Sequence, residues 1–279
     1  MRKKVLITVV TYPLPSRSYD ELICTAGILE NGDWIRIYPV PMKFLTGLRS
    51  DGRLTSFKYT WIELDLKKRN DDFRPESHSP VHYNFSDIEI FKRIDTKNNW
   101  AERKQLCTQK VYTNLTQLIE DSKAPTNISL ATFKPTMITE FEIQKEENRD
   151  WKDEWKELRK QSDLFDPDKN PEIQIRKLPY KFFYHFVDDA GKESRLMIED
   201  WEIGQLYWNC LKDAEGNENV ALDKVCEKYE TKFLKENDLY LFLGTTKEWH
   251  TRRAKNPFVI IGVFYPKKEE NQPSLFEEY

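Results

Sequence analysis

The sequence predicts a mainly β fold with inserted helices (α+β), in which two five-stranded barrels are joined by a helical connector. Three observations support this prediction. The first half has the order strand, strand, strand, short helix, strand, strand, and the second half repeats that order with extra helices. Between them, segment 96–126 has apolar residues near helical spacing and ends at Pro125. The predicted boundaries are 1–95, 96–126, 127–266 and, for a flexible tail, 267–279.

The first half contains the clearest local signal. An apolar, β-branched strand is predicted at 5–12. Two further apolar runs flank Asn31 and Gly32, a dipeptide that tolerates positive φ at both centres of a type I′ turn, and this predicts a hairpin. A short helical turn, a fourth strand, a long polar loop and a fifth strand follow at 41–47, 58–67, 68–85 and 87–94. Five strands with a helix between the third and fourth is the order of the oligonucleotide/oligosaccharide-binding (OB) barrel.

The second half is predicted to be a second OB-like barrel that carries helical insertions. A charged helix has Trp151, Trp155 and Leu158 on one stripe. A turn at 189–193 favours another hairpin. The strand region, charged helix, hairpin, two helices and two closing strands are predicted at 129–144, 148–165, 178–200, 201–213, 219–234, 238–246 and 258–266.

Short motifs along residues 3–266 resemble the bacterial family of dual OB-containing domains. They are "YPLPSRSYDELICTAGI", "WIRIYP", the "FKP" before "ITEFEI", and the closing "FVIIGVFYP". The resemblance implies two OB-like barrels and a setting in prokaryotic DNA metabolism or phage defence. It implies no reaction and no catalytic residues.

Composition limits the functional classes. The formal net charge is −3, so any nucleic-acid site must be a local basic patch. The four cysteines show no C-x-x-C spacing, which is typical of reduced thiols in a cytoplasmic protein. The basic N-terminus precedes an apolar run that stops at Pro13, so we interpret it as a first strand and not as a signal peptide. No apolar run is long enough to span a membrane, and no membrane partner is expected.

OB barrels bind ligands on the face of strands 2 and 3, framed by the 1–2 and 4–5 loops. Single-stranded nucleic acid binds to aromatic planes and to Arg or Lys side chains, and these regions carry both. The candidate nucleic-acid-binding residues of the first barrel are Arg17, Tyr19, Trp34, Arg36, Tyr38, Arg69 and Arg74. The alternative is that Trp34 and Tyr38 pack in the fold while the Arg36 stem covers apolar surface.

The corresponding loop of the second half, "TTKEWHTRRAKN", is the densest basic and aromatic stretch of the chain. Several donors lie close together there, as a phosphate site requires. Its candidate nucleic-acid-binding residues are Lys247, Trp249, His250, Arg252, Arg253 and Lys255. The alternative is a solvated, charged turn.

Catalytic motifs are weak. His78 and His82 have the i, i+4 spacing of zinc ligands, but Pro80 between them opposes a helix, so no metal is expected. Cys24 with a distant His250 is a conceivable nucleophilic pair, although a buried thiol is the simpler interpretation. No phosphate-binding or dinucleotide-binding glycine motif is present and no cofactor is expected. The sequence thus favours a binding protein, with an enzyme acting on nucleotides or nucleic acid, or a protein-interaction scaffold, as alternatives.

The tail carries an apolar pair among polar residues. Its "QPSLF" resembles the short peptide by which bacterial proteins dock on the DNA sliding clamp. That resemblance implies that Leu275 and Phe276 fill an apolar pocket while Gln272 hydrogen-bonds nearby. Pro273 departs from the leucine often found at its position. Fold-back of the pair onto the protein is the alternative.

Overall fold

The computed structural model describes residues 1–12, 14–15, 21–41, 58–153 and 176–268. Residues 42–47 of the predicted helical turn and 154–165 of the predicted charged helix lie outside these residues. The fold is mixed α+β with mainly strands. Among the described residues, no helix has both the length and the apolar character to cross a membrane.

The N-terminal part contains a closed five-stranded barrel. Its strands are β1 (Arg2–Val10), β3 (Glu21–Leu29), β4 (Trp34–Pro41), β5 (Thr60–Lys68) and β6 (Ser77–Pro80). The order around the barrel is β1-β3-β4-β6-β5, and β5 pairs again with β1. The β4–β6 pair is parallel and the other pairs are antiparallel. This closed arrangement is consistent with an OB-like barrel.

Alternation along the strands places the barrel core. In β5, Ile62, Leu64 and Leu66 are buried while the residues between them are partly exposed. Strand β1 is buried on both faces, since Val5 and Ile7 face the barrel core while Leu6 and Val9 pack against the C-terminal part. A strand covered on both faces explains the continuous apolar run.

The predicted fifth strand of the barrel is in the wrong place. Segment 87–94 does contain a strand, β7 (Glu89–Arg93), but in the described residues it pairs only with β5. The closing strand is β6, inside the predicted polar loop. Its buried serines are satisfied by hydrogen bonds: Ser79 Oγ donates to the Tyr38 carbonyl at 3.0 Å and Ser77 Oγ accepts from Arg36 at 3.3 Å. Because the buried positions of β6 include hydrogen-bonded serines, the segment lacks the apolar alternation by which a buried strand is recognised.

The C-terminal part forms two sheets around helices. One sheet has the order β10-β11-β12 and the other β14-β13-β9-β8.

The described residues also contain β2, which pairs with β3, and six α-helices with one π-helical segment. The bounds are β2 (Leu14–Pro15), α1 (Lys97–Cys107), β8 (Val111–Tyr112), α2 (Leu115–Asp121), β9 (Leu130–Phe133), β10 (Met137–Lys145), β11 (Tyr180–Val187), β12 (Glu193–Met197), α3 (Trp201–Asp213), α4 (Glu218–Cys226), the π segment (Glu227–Lys232), α5 (Phe233–Glu236), β13 (Tyr240–Thr245), α6 (Lys247–Thr251) and β14 (Phe258–Phe264), all within the described residues.

The prediction of a second five-stranded barrel is wrong, because this region is not a closed barrel. Among the residues that the structure describes here, the two sheets meet through an isolated bridge between Ile198 and Ile260 instead of a continuous ladder. Large aromatic side chains, among them Tyr184, Tyr207 and Tyr229, fill the space between the sheets and helices. Element order alone predicted the barrel, and a pair of separate sheets can share that order. Strand β8, inside the predicted connector 96–126, pairs with β9 and so belongs to this region.

The two parts are joined by apolar and ionic contacts. Phe242 and Phe264 of the C-terminal part share a core with Leu6 of β1. Lys58 lies 2.8 Å from Asp200, and their side chains are only 2% and 0% exposed. Removing one partner of a buried ion pair is strongly destabilising, so Lys58 and Asp200 make the stability of each part depend on its contact with the other.

Candidate nucleic-acid interface

At the centre of the outer face of β4, Arg36 is covered by the C-terminal part instead of being open to a ligand. Arg36 is 3% exposed. Its guanidinium donates to the Ser129 hydroxyl at 2.8 Å and to the main-chain oxygens of Ser129 and Thr245 at 3.2 and 3.3 Å. Burial lowers the pKa of Arg36, but an arginine stays charged at neutral pH. Each of these bonds ends on a group of the protein itself, so Arg36 joins the two parts of the chain.

Arg74 lies in the loop between β5 and β6, which is the 4–5 loop of the barrel. It is buried where the barrel meets the C-terminal part, a contact region that we call the seam. It pairs with Asp72 through two bonds of 2.9 and 2.6 Å, and its Nη1 donates to the Thr245 carbonyl at 2.7 Å. Burial raises the pKa of Asp72, but the bonds and charge of Arg74 outweigh it, so this pKa lies well below its ordinary value. Asp72 therefore remains ionised and fixes the guanidinium.

The two aromatic candidates on β4 have different surroundings. Trp34 is half-buried and makes an edge-to-face contact with Phe242 of β13, with ring centroids 5.1 Å apart. The guanidinium of Arg69 lies 5.1 Å from the centre of the Tyr38 ring and donates to the Tyr38 carbonyl at 3.1 Å. Packing, the alternative interpretation, describes Trp34 and Arg36 well. Arg17 and Tyr19 lie outside the described residues, as do Gln272, Leu275 and Phe276.

His250 is also buried, and both ring nitrogens are engaged. Nε2 lies 2.6 Å from the Ser122 carbonyl, which can only accept, so Nε2 carries the proton. Nδ1 then accepts from the Thr245 hydroxyl at 2.9 Å. Burial lowers the pKa of His250, which favours this neutral form. These contacts leave the imidazole no free nitrogen for a substrate or for Cys24.

The 4–5 loop and helix α6 touch each other, and their exposed residues define one surface. The Phe73 ring meets the His250 ring edge-on at 4.8 Å. Lys247 Nζ donates to the main-chain oxygen of Asp71 and lies 3.6 Å from its carboxylate. We call this the loop–α6 surface, and its exposed members are Phe73, Lys247, Trp249, Arg252, Arg253 and Lys255.

The local sequence explains how α6 presents these side chains. Thr246 caps the helix by accepting a bond from the Trp249 amide at 3.2 Å. Trp249 is 49% exposed and Phe73 46%. Arg252 pairs with Glu248 at 3.0 Å, and Arg253 ends the helix in the left-handed region with φ of 52°. Aromatic planes and cations exposed at one place are the groups from which a single-strand interface is built.

The sequence predicted Trp249 and the basic residues of this surface as binding residues, and it placed Phe73 in the same loop chemistry without selecting it as a site residue. The available signal was its position, a lone aromatic in the polar loop "NDDFRPE" with no apolar neighbour to pack on. The sequence did not indicate which carboxylates pair with these cations. Arg69 bonds Asp71 and so lowers the pKa of that carboxyl, which keeps a negative charge beside Lys247. Among the described residues, no group of His, Cys, Asp or Glu is placed to hold a metal.

The fold and site define an α+β protein with an OB-like barrel and a basic, aromatic surface where barrel and C-terminal part meet. Residues 109–279, more than half of the chain, match the family model described as "Domain of unknown function (DUF8757)", and the chain belongs to that family. Residues 1–109 match the model described as "Domain of unknown function (DUF8758)". The resemblance to dual OB-containing domains, and the predicted domain boundaries, stay predictions.

Comparison with other proteins adds little. No curated protein matches the chain. A solved structure described as "Structure of murine DNA binding protein bound with ds DNA" aligns with 98% of this chain and 97% of its own, at 10% identity and a TM-score of 0.30. At that TM-score, nothing about the function of this chain follows from the alignment.

Proposed function

We propose that this protein binds single-stranded nucleic acid on the loop–α6 surface. The observation that carries the proposal is the exposure of Phe73 and Trp249 where the 4–5 loop of the barrel meets helix α6. The cations Lys247, Arg252 and Arg253 are exposed at the same place. Arg36 at the centre of the β4 face is buried against the C-terminal part, so the proposed strand site lies beside the barrel and not across it.

The aromatic pair favours unpaired bases. A base in a single strand offers its flat face to an aromatic ring, and each such stack contributes about 1–3 kcal/mol. A duplex hides those faces inside the helix. The contact between Phe73 and His250 holds one ring, and the cap on α6 holds the main chain from which Trp249 projects. A ring held before a ligand arrives reduces the entropy lost on binding.

The charge of the surface suits a phosphate backbone. Lys247, Arg252, Arg253 and Lys255 supply four cations, and the nearby carboxylates are Asp71 and Glu248. The excess of cations is local, in a chain whose formal net charge is −3. Binding should therefore weaken steeply with salt.

The biological setting follows from sequence alone. We propose a cytoplasmic role in prokaryotic DNA metabolism or phage defence, supported by the resemblance to dual OB-containing domains. The described cysteines are all free thiols, which agrees with a reducing compartment. Docking of the tail on a sliding clamp belongs to the same proposal.

Fluorescence anisotropy tests the function. The probe is a labelled oligothymidine of about 16 nucleotides, the upper site size for one OB fold. Trp249→Ala and Phe73→Ala should each weaken binding by about tenfold, equivalent to about 1.4 kcal/mol. The matched duplex should bind less tightly than the single strand.

Phe91→Ala is the control, because Phe91 is an aromatic of similar exposure on β7. It should leave the affinity unchanged. The proposal fails if wild-type protein does not bind the single strand at low salt, or if Trp249→Ala and Phe91→Ala bind equally well.

A further inference from the structure

A cleft of about 620 Å³ lies between the barrel and the β8–β9 pair. Its lining includes none of the residues of the loop–α6 surface. Leu29 and Ile35 from the barrel and Val111 and Leu130 from the C-terminal part give it an apolar floor. A cleft of this size that is apolar with a few polar groups is typical of small-molecule sites.

Two aromatic rings line the cleft from opposite parts of the chain. Trp34 is held by its edge-to-face contact with Phe242. The Tyr112 hydroxyl donates to the Asp121 carboxylate at 2.9 Å, and burial raises the pKa of Tyr112 to about 12, so it stays a neutral phenol. Two rings fixed by their own neighbours favour a flat, aromatic ligand.

His78 supplies a hydrogen-bond acceptor in the cleft. Its Nδ1 lies 2.8 Å from the Glu76 carbonyl, which can only accept, so the ring proton is on Nδ1. The neutral ring then presents Nε2 as an acceptor. The Glu76 carboxylate is taken by the amide and hydroxyl of Ser129, at 2.9 and 2.7 Å. A ligand N–H can therefore donate to His78 Nε2.

Lys110 supplies a cation at the same cleft. It pairs with Asp33 at 2.6 Å, but both side chains are more than half exposed. An exposed pair of this kind contributes little and its lysine can be shared with an incoming anion. The cleft thus combines aromatic planes, an acceptor and a cation.

We propose that the cleft binds a nucleoside monophosphate. The base lies against Trp34 and Tyr112, a base N–H donates to His78 Nε2, and the phosphate pairs with Lys110. This site is separate from the loop–α6 surface, and its existence does not depend on strand binding there. The same chemistry is offered by a free nucleotide and by one nucleotide of a strand.

Isothermal titration of the full chain with AMP, GMP, CMP and UMP tests this site, with adenosine and inorganic phosphate as partial ligands. Lys110→Ala should weaken binding of the preferred nucleotide by about tenfold, as expected for a lost charge-assisted bond. It should leave adenosine binding unchanged. Lys97→Ala is the matched control, because Lys97 is also an exposed lysine paired with an aspartate, at 3.5 Å from Asp95.

Val111→Trp fills the cleft and should abolish binding of nucleotide and nucleoside, with circular dichroism confirming that the variant is folded. Trp249→Ala should leave nucleotide binding intact, which separates this site from the loop–α6 surface. If AMP competes with the oligothymidine, the result supports one nucleotide of a strand as the occupant. If AMP does not compete, the result supports a free nucleotide. The proposal is overturned if none of the four nucleotides binds at millimolar concentration, if Lys110→Ala and Lys97→Ala bind alike, or if folded Val111→Trp still binds.

Discussion

Arg74 of the barrel donates a hydrogen bond from Nη1 to the main-chain oxygen of Thr245, 2.7 Å away at the end of β13. Thr245 is followed directly by the residue that caps α6, so this bond joins the 4–5 loop to the helix that carries Trp249. The geometry of the loop–α6 surface therefore depends on a buried arginine that does not belong to the surface.

Removing the seam arginines should destabilise the whole protein. Arg36→Ala and Arg74→Ala should each lower the free energy of unfolding by roughly 2–3 kcal/mol, because buried carbonyls lose a charged donor. Urea unfolding followed by circular dichroism measures this. Arg2→Ala is the control, since Arg2 is an exposed arginine held by carboxylates. Equal stability of the Arg36→Ala and Arg2→Ala variants would contradict the structural role of the seam.

The salt dependence of strand binding should report on Arg253. Each phosphate neutralised in a single strand contributes about 0.7 to the slope of log K against log salt. Arg253→Ala should reduce the magnitude of the slope by about that amount. Arg149→Ala is the control, because it removes an exposed arginine that pairs with Glu218 outside the surface. An unchanged slope in Arg253→Ala would show that this side chain makes no phosphate contact.

The free energy of unfolding should fall on acidification, and part of that fall should come from His250. Burial holds the pKa of His250 in the folded protein below its ordinary value of 6.5. Protons therefore bind the unfolded chain more readily, and the contribution of His250 is fully present above about pH 6.5 and is lost as the pH falls below it. The stability difference between wild type and His250→Gln, measured by urea unfolding at a series of pH values, should shrink on acidification. A constant difference would refute this assignment.

The tail makes an independent prediction. A peptide of residues 267–279 should bind a bacterial sliding clamp with micromolar affinity, since Leu275 and Phe276 match the apolar pair of such peptides. A peptide with both replaced by alanine should lose that binding. Surface plasmon resonance with immobilised clamp measures both. Similar responses from the two peptides would favour fold-back of the tail or another role.

The barrel could largely be predicted because its signals are local. Asn31 and Gly32 lie in the turn of the β3–β4 hairpin as predicted, but only Gly32 has a positive φ, so the turn is not of type I′. The alternation of Ile62, Leu64 and Leu66 identifies β5. Strand β6 was missed because Ser77 and Ser79 are buried by hydrogen bonds to partners far along the chain. The second barrel was predicted from element order, which does not fix which strands pair.

In the candidate site, too, some features could be predicted from local sequence and others depend on partners that the sequence does not reveal. Trp249 and Arg252 are exposed, as a basic, aromatic loop suggests. Arg36 and His250 were selected for the same chemistry, yet they are buried. Their main-chain acceptors, Ser129 for Arg36 and Ser122 for His250, lie in distant segments of the chain. A main-chain acceptor leaves no mark in the sequence, so no local pattern distinguishes a buried arginine of this kind from one that contacts phosphate.

The recognition of Arg36 and Arg74 by main-chain oxygens has an evolutionary consequence. A carbonyl is present whatever side chain occupies position 245, so drift there leaves the bond from Arg74 in place. The Thr245 hydroxyl bonds His250, so the constraint on the side chain at 245 comes from position 250 and not from Arg74. In an alignment of relatives, position 74 should vary little, and substitutions at 245 should correlate with those at 250 and not with those at 74.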